Sequence, residues 1–296
     1  MDLSIIIVTY NSESYIENCI YSILKTTKEI KYEIIVVDNS SKDRTVEKVK
    51  SIKSEVLKVI ESQNRGFNYG NNRGIEIANG KYICLLNPDT IVCNNAFYIL
   101  KREMDLDSSL GLCGGKLLDV DGRENITFGC FPSIKQALMK ACFIRKDKYY
   151  KANVKSKKFY VDYPIGADFF FRKEIIREIG MLDENYFLYF DETDFAFRIR
   201  KAGFKACILT EAKIIHLQGK STEDISEFAS QKFLESFVYY NKKFLNKRQT
   251  STLCAINIIF NMEMCLLKYI LKKGDYKYNL RAIDFYKTTF KEVLTK

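Results

Sequence analysis

Three short runs of apolar, mostly β-branched residues constrain the fold of this chain more than any other feature of its sequence. They are Ser4–Val8, Tyr32–Val37 and Tyr82–Leu86. Runs of this length and composition are typical of strands that are covered on both faces. Segments with apolar residues at helical spacing separate them, beginning with Glu13–Lys25. Strands that alternate with helices predict an α/β fold around a largely parallel sheet.

Polar residues follow each of these three strands, at Thr9–Asn11, Asp38–Ser40 and Asn87–Asp89. In open α/β sheets, ligands bind beyond the carboxyl ends of the strands. The three strand ends are therefore predicted to form one binding site.

The carboxylates at these strand ends have two interpretations each. Asp38 can accept hydrogen bonds from a nucleobase, or it can cap the helix predicted at Arg44–Ile52, where Ser40 and Asp43 have capping-box spacing. Asp89 can bind a hard divalent cation, or it can be an ordinary turn residue after a proline. The residues alone leave both choices open.

Three glycines four residues apart, Gly66, Gly70 and Gly74, lie in the stretch from Gln63. This spacing differs from the GxGxxG pattern of dinucleotide-binding loops. It places small residues on one helix face, which allows the helix to approach the sheet closely. The nearby Arg65 either meets a phosphate group or is solvated.

Acidic residues cluster among aromatic residues in Tyr186–Lys201, which is predicted to be a helix. Mutual repulsion and apolar surroundings would raise pKa values in this cluster of Asp191, Glu192 and Asp194 and make a usable general base. The alternative is an acidic first turn that the helix dipole stabilises.

His216 is the single histidine in 296 residues. A multi-histidine zinc site within one chain is therefore excluded, and a serine or cysteine triad would have to use this one residue. His216 follows an apolar strand and precedes a basic loop at 219–221. It is either a metal or phosphate ligand or an ordinary core or surface residue.

Composition narrows the class of protein further. The net charge is +10, but no nucleic-acid motif accompanies it, so no nucleic-acid partner is expected. Nine cysteines without a CxxC pair, and an N-terminus without the pattern of a signal peptide, predict a reduced cytoplasmic protein. Residues 115–160 are predicted to be a loop or hairpin insertion.

The pattern becomes entirely helical after about residue 221, so two domains are predicted, 1–222 and 223–296. Within the second domain, Leu253–Leu271 is nearly apolar enough to span a membrane. Asn257, Asn261 and Lys268 form one polar stripe on it, which favours an amphipathic helix. We expect these helices either to contact a membrane peripherally or to form a cap or dimer interface.

Together these motifs resemble family 2 glycosyltransferases of the GT-A fold, in the right order over about residues 3–222. The resemblance is carried by SIIIVTYN, IIVVDNSSKD, NRGFNYGNNRGI, ANGKYICLLNPDT, the GAD stretch, FLYFDETDFAFRIRKAGF and IIHLQGKS. The stretch from Asn64 to Thr90 is similar to rhamnosyltransferase-like members. The resemblance implies inverting transfer of a sugar, with rhamnose from dTDP-rhamnose as the first candidate, in surface polysaccharide synthesis.

The resemblance also implies a role for individual residues. The nucleotide pocket would contain Thr9, Tyr10, Asn11, Asp38, Asn64 and Arg65. The donor and acceptor sugars would lie near Asn87, Gly166, Ala167 and Asp168. Mg²⁺ or Mn²⁺ would be held by Asp89 and assisted by His216, and Glu192 would be the catalytic base, with Asp191 as the alternative.

Two departures from the family pattern bear on these roles. The metal-binding DxD motif reads Asn87-Pro88-Asp89, so its first carboxylate is missing. The acidic pair reads Asp-Glu instead of the common Glu-Asp, which can move the base to Asp191. Two alternatives stay open: a UDP-hexose donor (glucose, galactose or galactofuranose), and a catalytically inactive module that only binds a sugar nucleotide. The partners expected are the donor and a glycan or lipid-linked acceptor, at the inner face of the cell membrane.

Overall fold

The structure is a computed structural model that describes residues 1–143, 156–217, 227–272 and 276–295. The described residues fall into two compact units. The first unit contains 1–131, 156–187 and 191–217. The second contains 132–143, 188–190, 227–272 and 276–295.

The first unit contains all eleven strands of the described chain. They are β1 Leu3–Thr9, β2 Tyr32–Asp38, β3 Leu57–Glu61, β4 Tyr82–Leu86, β5 Thr90–Val92, β6 Leu110–Leu118, β7 Phe128–Gly129, β8 Lys158–Val161, β9 Tyr163–Pro164, β10 Asp168–Arg172 and β11 Lys205–His216. The main sheet has the order β3-β2-β1-β4-β10-β6-β11-β5, and β8 also pairs with β11. β3, β2, β1 and β4 are parallel, whereas β10 runs antiparallel to both of its neighbours. β7 and β9 form a separate pair.

The described helices divide between the two units. They are α1 Ile16–Thr26, α2 Thr45–Ser51, α3 Phe67–Ile77, α4 Ala96–Leu106, α5 Ile134–Ala141, α6 Ile176–Ile179, α7 Asp191–Lys201, α8 Glu227–Phe244, α9 Lys247–Leu271 and α10 Lys277–Thr295. A short 3₁₀ turn, Lys173–Ile175, precedes α6. α5, α8, α9 and α10 belong to the second unit and the others to the first. The prediction of an α/β fold with a mostly parallel central sheet and C-terminal helices is confirmed.

The central strands are apolar throughout because both faces of the sheet are covered. Ile5 and Ile7 of β1 face a core that includes residues of α1, α2 and α4. Ile6 and Val8 face a second core, which includes residues of α3 and α7. Successive side chains of a strand point to opposite faces, so a strand between two helical layers must be apolar at every position.

Helix α3 lies unusually close to the sheet because of its glycines. A Cβ atom on Gly70 would lie 2.8 Å from Val8 Cγ1, and one on Gly74 would lie 2.5 Å from Ile6 Cγ2. Real Cβ atoms do not approach other atoms this closely, so β1 leaves no room for a larger residue. The predicted close approach is confirmed for these two glycines.

Several local predictions are corrected. The capping box is wrong, because Arg44 is the N-cap of α2 and Ser40 instead donates to the carbonyl of Ser62. The helix predicted from Tyr186 begins at Asp191, because Tyr189 and Phe190 have positive φ angles of 67° and 63°. β6, β7, α5 and β8 occupy much of the predicted insertion. Its segment 144–155, the basic loop at 219–221 and the predicted domain boundary lie outside the described residues.

Candidate functional site

The ends of β1 and β2 are joined by the carboxylate of Asp38, which is only 2% exposed. Thr9 is paired with Asp38 in the parallel register, and its Oγ1 donates to Asp38 Oδ1 at 2.9 Å. Ser41 donates its backbone N–H to Asp38 Oδ2 at 2.8 Å and its hydroxyl to Oδ1 at 2.5 Å. Asp38 therefore organises the turn after β2. A contact between Asp38 and a nucleobase stays a prediction and would use the remaining lone pairs of the carboxylate.

The loop after β1 is tied to the loop after β2 by reciprocal hydrogen bonds. The Asn11 N–H donates to Ser41 Oγ at 2.9 Å, and the Lys42 N–H donates to Asn11 Oδ1 at 2.8 Å. Asn11 and Ser40 both have left-handed backbones, with φ of 51° and 61°. Tyr10 is 49% exposed beside these loops. The two strand ends thus form one fixed polar edge with an exposed aromatic ring.

Asn64 and Arg65 precede α3 on a tight turn. Asn64 Oδ1 accepts a bond from the Gly66 N–H at 3.4 Å, and Gly66 has a φ of 109°, which favours glycine. The Arg65 guanidinium lies 4.6 Å from the centre of the Tyr69 ring, so a cation–π contact holds it.

Asn87, Asp89 and His216 come together where β4 ends and β5 pairs with β11. His216 Nε2 lies 3.3 Å from Asp89 Oδ1 and 3.5 Å from Asn87 Nδ2. The Leu217 N–H donates to the Asp89 carbonyl at 2.9 Å, which fixes the two loops together. His216 Nδ1 is buried and has no hydrogen-bond partner among the described residues.

Asn87, Asp89 and His216 fit a divalent cation, but they provide few protein ligands for it. Two ligands about 2.1 Å from one metal ion, on adjacent positions, lie roughly 3 Å apart. The 3.3 Å between Asp89 and His216 matches that separation. The amide oxygen of Asn87 would be a weaker, neutral ligand. Among the described residues, however, no three His, Cys, Asp or Glu side chains form a metal cluster, so the nucleotide would have to complete the coordination.

Asp191 and Glu192 begin α7 as a partly buried pair of carboxyl groups. Desolvation and the negative charge of Asp191 raise the pKa of Glu192 well above its usual value. Desolvation also raises the pKa of Asp191. A Cβ atom on Gly166 would lie 3.7 Å from Glu192 Cβ, an ordinary van der Waals distance, so Gly166 lies directly beside this acid.

Asp194, the third acid of the cluster, has a structural partner. It is 1% exposed, and Arg198 Nε donates to its Oδ2 at 2.7 Å. The Tyr186 hydroxyl lies 3.3 Å from its Oδ1. Asp194 therefore anchors α7, and the acids with raised pKa values are Asp191 and Glu192.

Ala167 and Asp168 link the strand end at Asn87 to the acid pair. The Asn87 N–H donates to the Ala167 carbonyl at 3.1 Å, and Gly166, beside Glu192, precedes Ala167. The side chains of Ala167 and Asp168 are fully buried. The Gly115 N–H donates to Asp168 Oδ2, and burial raises the pKa of Asp168 well above its usual value. Roles of these residues at the sugar stay predictions, and those buried side chains would act through the backbone around them.

Buried amides on α3 hold the loop that leads to the acid pair, and the sequence interpretation missed them. Asn72 exchanges hydrogen bonds with the backbone of Leu182 at 2.9 and 3.1 Å, and its Nδ2 also donates to Glu184 at 2.9 Å. Asn68 Nδ2 donates to the Asp183 carbonyl at 2.8 Å. The concentration of asparagines between the glycines was the available signal, since buried amides require specific partners.

For the sugar transfer that the family resemblance implies, we expect Asn72→Ala to lower turnover at least tenfold while the affinity for the nucleotide changes less than twofold. The substitution releases the loop before Asp191, and misplacement of a catalytic group by 1 Å can cost about a hundredfold. Steady-state kinetics together with nucleotide titration would separate the two effects.

Asn71→Ala is the matched control, because Asn71 lies on the same helix and is equally buried. Its Nδ2 bonds only to the Phe67 carbonyl within α3 among its described contacts. Equal loss of turnover in both variants would contradict a positioning role for Asn72 and indicate general destabilisation.

Comparison with known proteins identifies related sequences. A family model described as "Glycosyl transferase family 2" matches residues 4–180. The low-salt glycan biosynthesis hexosyltransferase Agl10 of Haloferax volcanii is 24% identical over 273 residues, covering 90% of this chain and 80% of that protein. A poly(ribitol-phosphate) beta-glucosyltransferase of Bacillus spizizenii is 33% identical over 132 residues, covering 42% of this chain and 20% of the relative. The match to the Bacillus protein thus spans only a fifth of its length.

Two solved structures share the fold. GalNAc-T7, crystallised with UDP, GalNAc and Mn²⁺, has a TM-score of 0.67 and 15% identity, covering 100% of this chain and 56% of that one. TarS of S. aureus in complex with UDP has a TM-score of 0.56 and 15% identity, covering 100% of this chain and 92% of that one. These neighbours are GT-A transferases, so the GT-A fold that the resemblance implies is confirmed.

Proposed function

Because this chain belongs to glycosyl transferase family 2, we propose that it moves a sugar from a nucleotide-sugar donor to a hydroxyl group of a glycan or lipid-linked acceptor. The family and the hexosyltransferase relative support glycosyltransferase activity in glycan or polysaccharide synthesis. The main structural support is the carboxyl pair Asp191 and Glu192. Their pKa values are raised, which suits a general base that removes the proton from the acceptor hydroxyl.

The proposed reaction is a single displacement with inversion at the anomeric carbon. Ionised Glu192 takes the proton from the acceptor hydroxyl while that oxygen forms its bond to the anomeric carbon. The bond from this carbon to the phosphate oxygen breaks, and its electron pair leaves with the nucleoside diphosphate. Asp191, one residue away, is the alternative base.

We propose that Asp89 and His216 hold Mg²⁺ or Mn²⁺ together with the donor diphosphate. The ion would supply positive charge that stabilises the departing diphosphate. The 3.3 Å between His216 Nε2 and Asp89 Oδ1 supports this assignment. The Mn²⁺ bound with UDP in GalNAc-T7 is consistent with it.

The donor has two candidates. dTDP-rhamnose follows from the resemblance of Asn64–Thr90 to rhamnosyltransferase-like members. A UDP-hexose is favoured by the hexosyl- and glucosyltransferase names of the relatives and by the UDP bound to TarS. In both cases the proposed nucleotide pocket is the same and consists of Thr9, Tyr10, Asn11, Asp38, Asn64 and Arg65. The proposed compartment for the reaction is the cytoplasm.

The Glu192→Gln variant tests the proposed base. We expect it to lower the turnover number about 10²- to 10⁴-fold, the usual contribution of a general base, while donor affinity is unchanged. Asp191→Asn is the paired variant. A loss confined to Asp191→Asn would transfer the role to Asp191, and transfer within a few fold of wild type in both variants would contradict a base in this pair.

The raised pKa values also predict how activity and stability depend on pH. The base must be ionised, so turnover should fall as pH drops through the raised pKa of Glu192, above the ordinary value of 4.5. Folded Glu192 keeps its proton at pH values where the unfolded chain has lost it. Its contribution to stability therefore declines as pH rises from about 4.5 through the raised pKa.

Urea unfolding between pH 4 and pH 8 measures this contribution. Relative to wild type, Glu192→Gln should become progressively more stable as pH rises, because an amide cannot ionise in the desolvated site. A stability difference that does not change with pH would contradict the raised pKa. Glu55→Gln, at a surface residue outside the site, is the control.

The Asp89→Ala variant tests the metal role. We expect it to remove the extra thermal stabilisation that Mn²⁺ adds to a bound nucleoside diphosphate, because it deletes the single carboxylate of the group. Asp121→Ala, at an exposed turn, is the control and should keep that stabilisation. Equal Mn²⁺-dependent shifts in the two variants would contradict a metal ligand at Asp89.

A further inference from the structure

Helices α9 and α10 place polar residues inside their interface. Asn261 and Asn279 are 5% and 4% exposed, and Asn279 Nδ2 donates to Asn261 Oδ1 at 2.9 Å. Lys268 Nζ donates to Asn279 Oδ1 at 2.9 Å. The polar stripe recognised in the sequence is therefore turned, at Asn261 and Lys268, towards the neighbouring helix.

The apolar residues of α9 lie on its outer side. Ile259, Met262, Leu266 and Ile270 are spaced by three, four and four residues, so they form one stripe, and each is more than half exposed. Tyr269 beside them is 74% exposed. Only 22% of the most apolar window of α9 is buried, and it is the single helix of the described chain that is long and apolar enough to span a membrane.

A groove of about 530 Å³ continues this surface onto α10. Met262, Leu266 and Tyr269 line it from α9, and Leu280 and Ile283 line it from α10. Contiguous exposed apolar surface of this kind is rare on soluble monomers and marks an interaction site. Transfer of these apolar side chains from water into hydrocarbon would be favourable.

Three lysines and one acid lie at the border of the apolar surface. Lys272 follows Leu271 at the end of α9, Lys277 begins α10, and Lys287 and Asp284 both line the groove; all four are exposed. Over residues 223–296 the sequence has 13 Lys and Arg against 8 Asp and Glu. Basic residues around an apolar face with exposed tyrosines match the chemistry of an anionic lipid interface.

We propose that the α9–α10 surface, defined by Ile259, Met262, Leu266, Tyr269, Ile270 and Leu280, docks on an anionic lipid bilayer. The inner polar contacts then hold the helix pair together, while the outer side chains enter the boundary between headgroups and acyl chains. The inference deepens the proposed function, since it would bring the enzyme to a lipid-linked acceptor.

The surface lies on the bilayer and does not cross it. The stripe from Ile259 to Ile270 is roughly 16 Å long at 1.5 Å per residue, about half of the hydrocarbon thickness. α5, α8 and α10 pack against α9 within the second unit, so only one side of α9 is available to lipid. An interfacial orientation satisfies both the apolar stripe and the polar interior.

Vesicle co-sedimentation tests the proposal with the full chain. Wild type should bind vesicles of equal phosphatidylglycerol and phosphatidylcholine, and weakly or not at all vesicles of phosphatidylcholine alone. The triple variant Leu266→Ser, Tyr269→Ser, Ile270→Ser should lose binding, because it removes apolar side chains that would enter the bilayer. All three side chains are exposed, so the substitutions leave the fold intact. Lys272→Gln with Lys277→Gln should weaken binding about 25-fold, at about fivefold for each cation.

Matched controls lie in the first unit. Leu106→Ser with Val120→Ser removes equally exposed apolar side chains, and Lys28→Gln with Lys53→Gln removes equally exposed cations; both variants should bind as wild type does. Absence of wild-type binding to anionic vesicles at low salt would overturn the proposal. So would a wild-type dimer that the triple variant converts to monomer without any effect on vesicle binding, since the surface would then join two copies.

Nucleotide-induced thermal stabilisation, measured in the same samples without lipid, separates this inference from the proposed function. If wild type is stabilised by a nucleotide but does not bind vesicles, the lipid surface is contradicted and the proposed transferase function is unaffected. Absence of nucleotide stabilisation in a protein that still binds vesicles would count against the transferase and leave the lipid surface supported.

Discussion

The close approach of α3 to β1 is the contact on which the candidate site depends. Gly70 and Gly74 leave no side chain between the helix and Val8 and Ile6, so α3 lies directly on the sheet. At this height its buried amides hydrogen-bond to the loop before α7. The turn before α3 is joined to the end of β2 by the bond from Asn39 Nδ2 to the Gly66 carbonyl at 3.1 Å. This packing contact therefore connects the turn after β2 with the loop that leads to the acid pair.

The position of the acid pair Asp191 and Glu192 lowers the stability of the folded chain when the two groups are charged. Asp191 and Glu192 are neighbouring carboxyl groups in a desolvated position, which disfavours their charged forms. The surrounding structure keeps them there through Asp194, whose ion pair with Arg198 anchors the first turn of α7. Two aromatic residues with left-handed backbones, Tyr189 and Phe190, directly precede the pair. Such conformations are costly for bulky residues and concentrate at functional sites.

The sequence predicted the three central parallel strands β1, β2 and β4, and which residues follow them, because the apolar runs leave few alternatives. It failed where distant residues decide local structure. Ser40 has capping-box spacing, yet a tertiary contact with the Ser62 carbonyl replaces the cap. The polar stripe of α9 was recognised from its spacing, but which side would meet α10 depends on Asn279, 18 residues after Asn261. Buried amides such as Asn72 carry no periodic signal, and their partners lie 110 residues away.

The central claim is that the edge formed by β1, β2 and β4 binds a nucleoside diphosphate together with a divalent cation. A thermal-shift panel of dTDP, UDP, GDP and ADP, each with and without Mn²⁺, tests it most directly. A ligand at 100 times its dissociation constant stabilises a protein by about 2.7 kcal/mol, which is readily measured. We expect a Mn²⁺-dependent shift with dTDP or UDP, and the nucleotide that gives it identifies the donor class. Absence of any shift across the panel would contradict it.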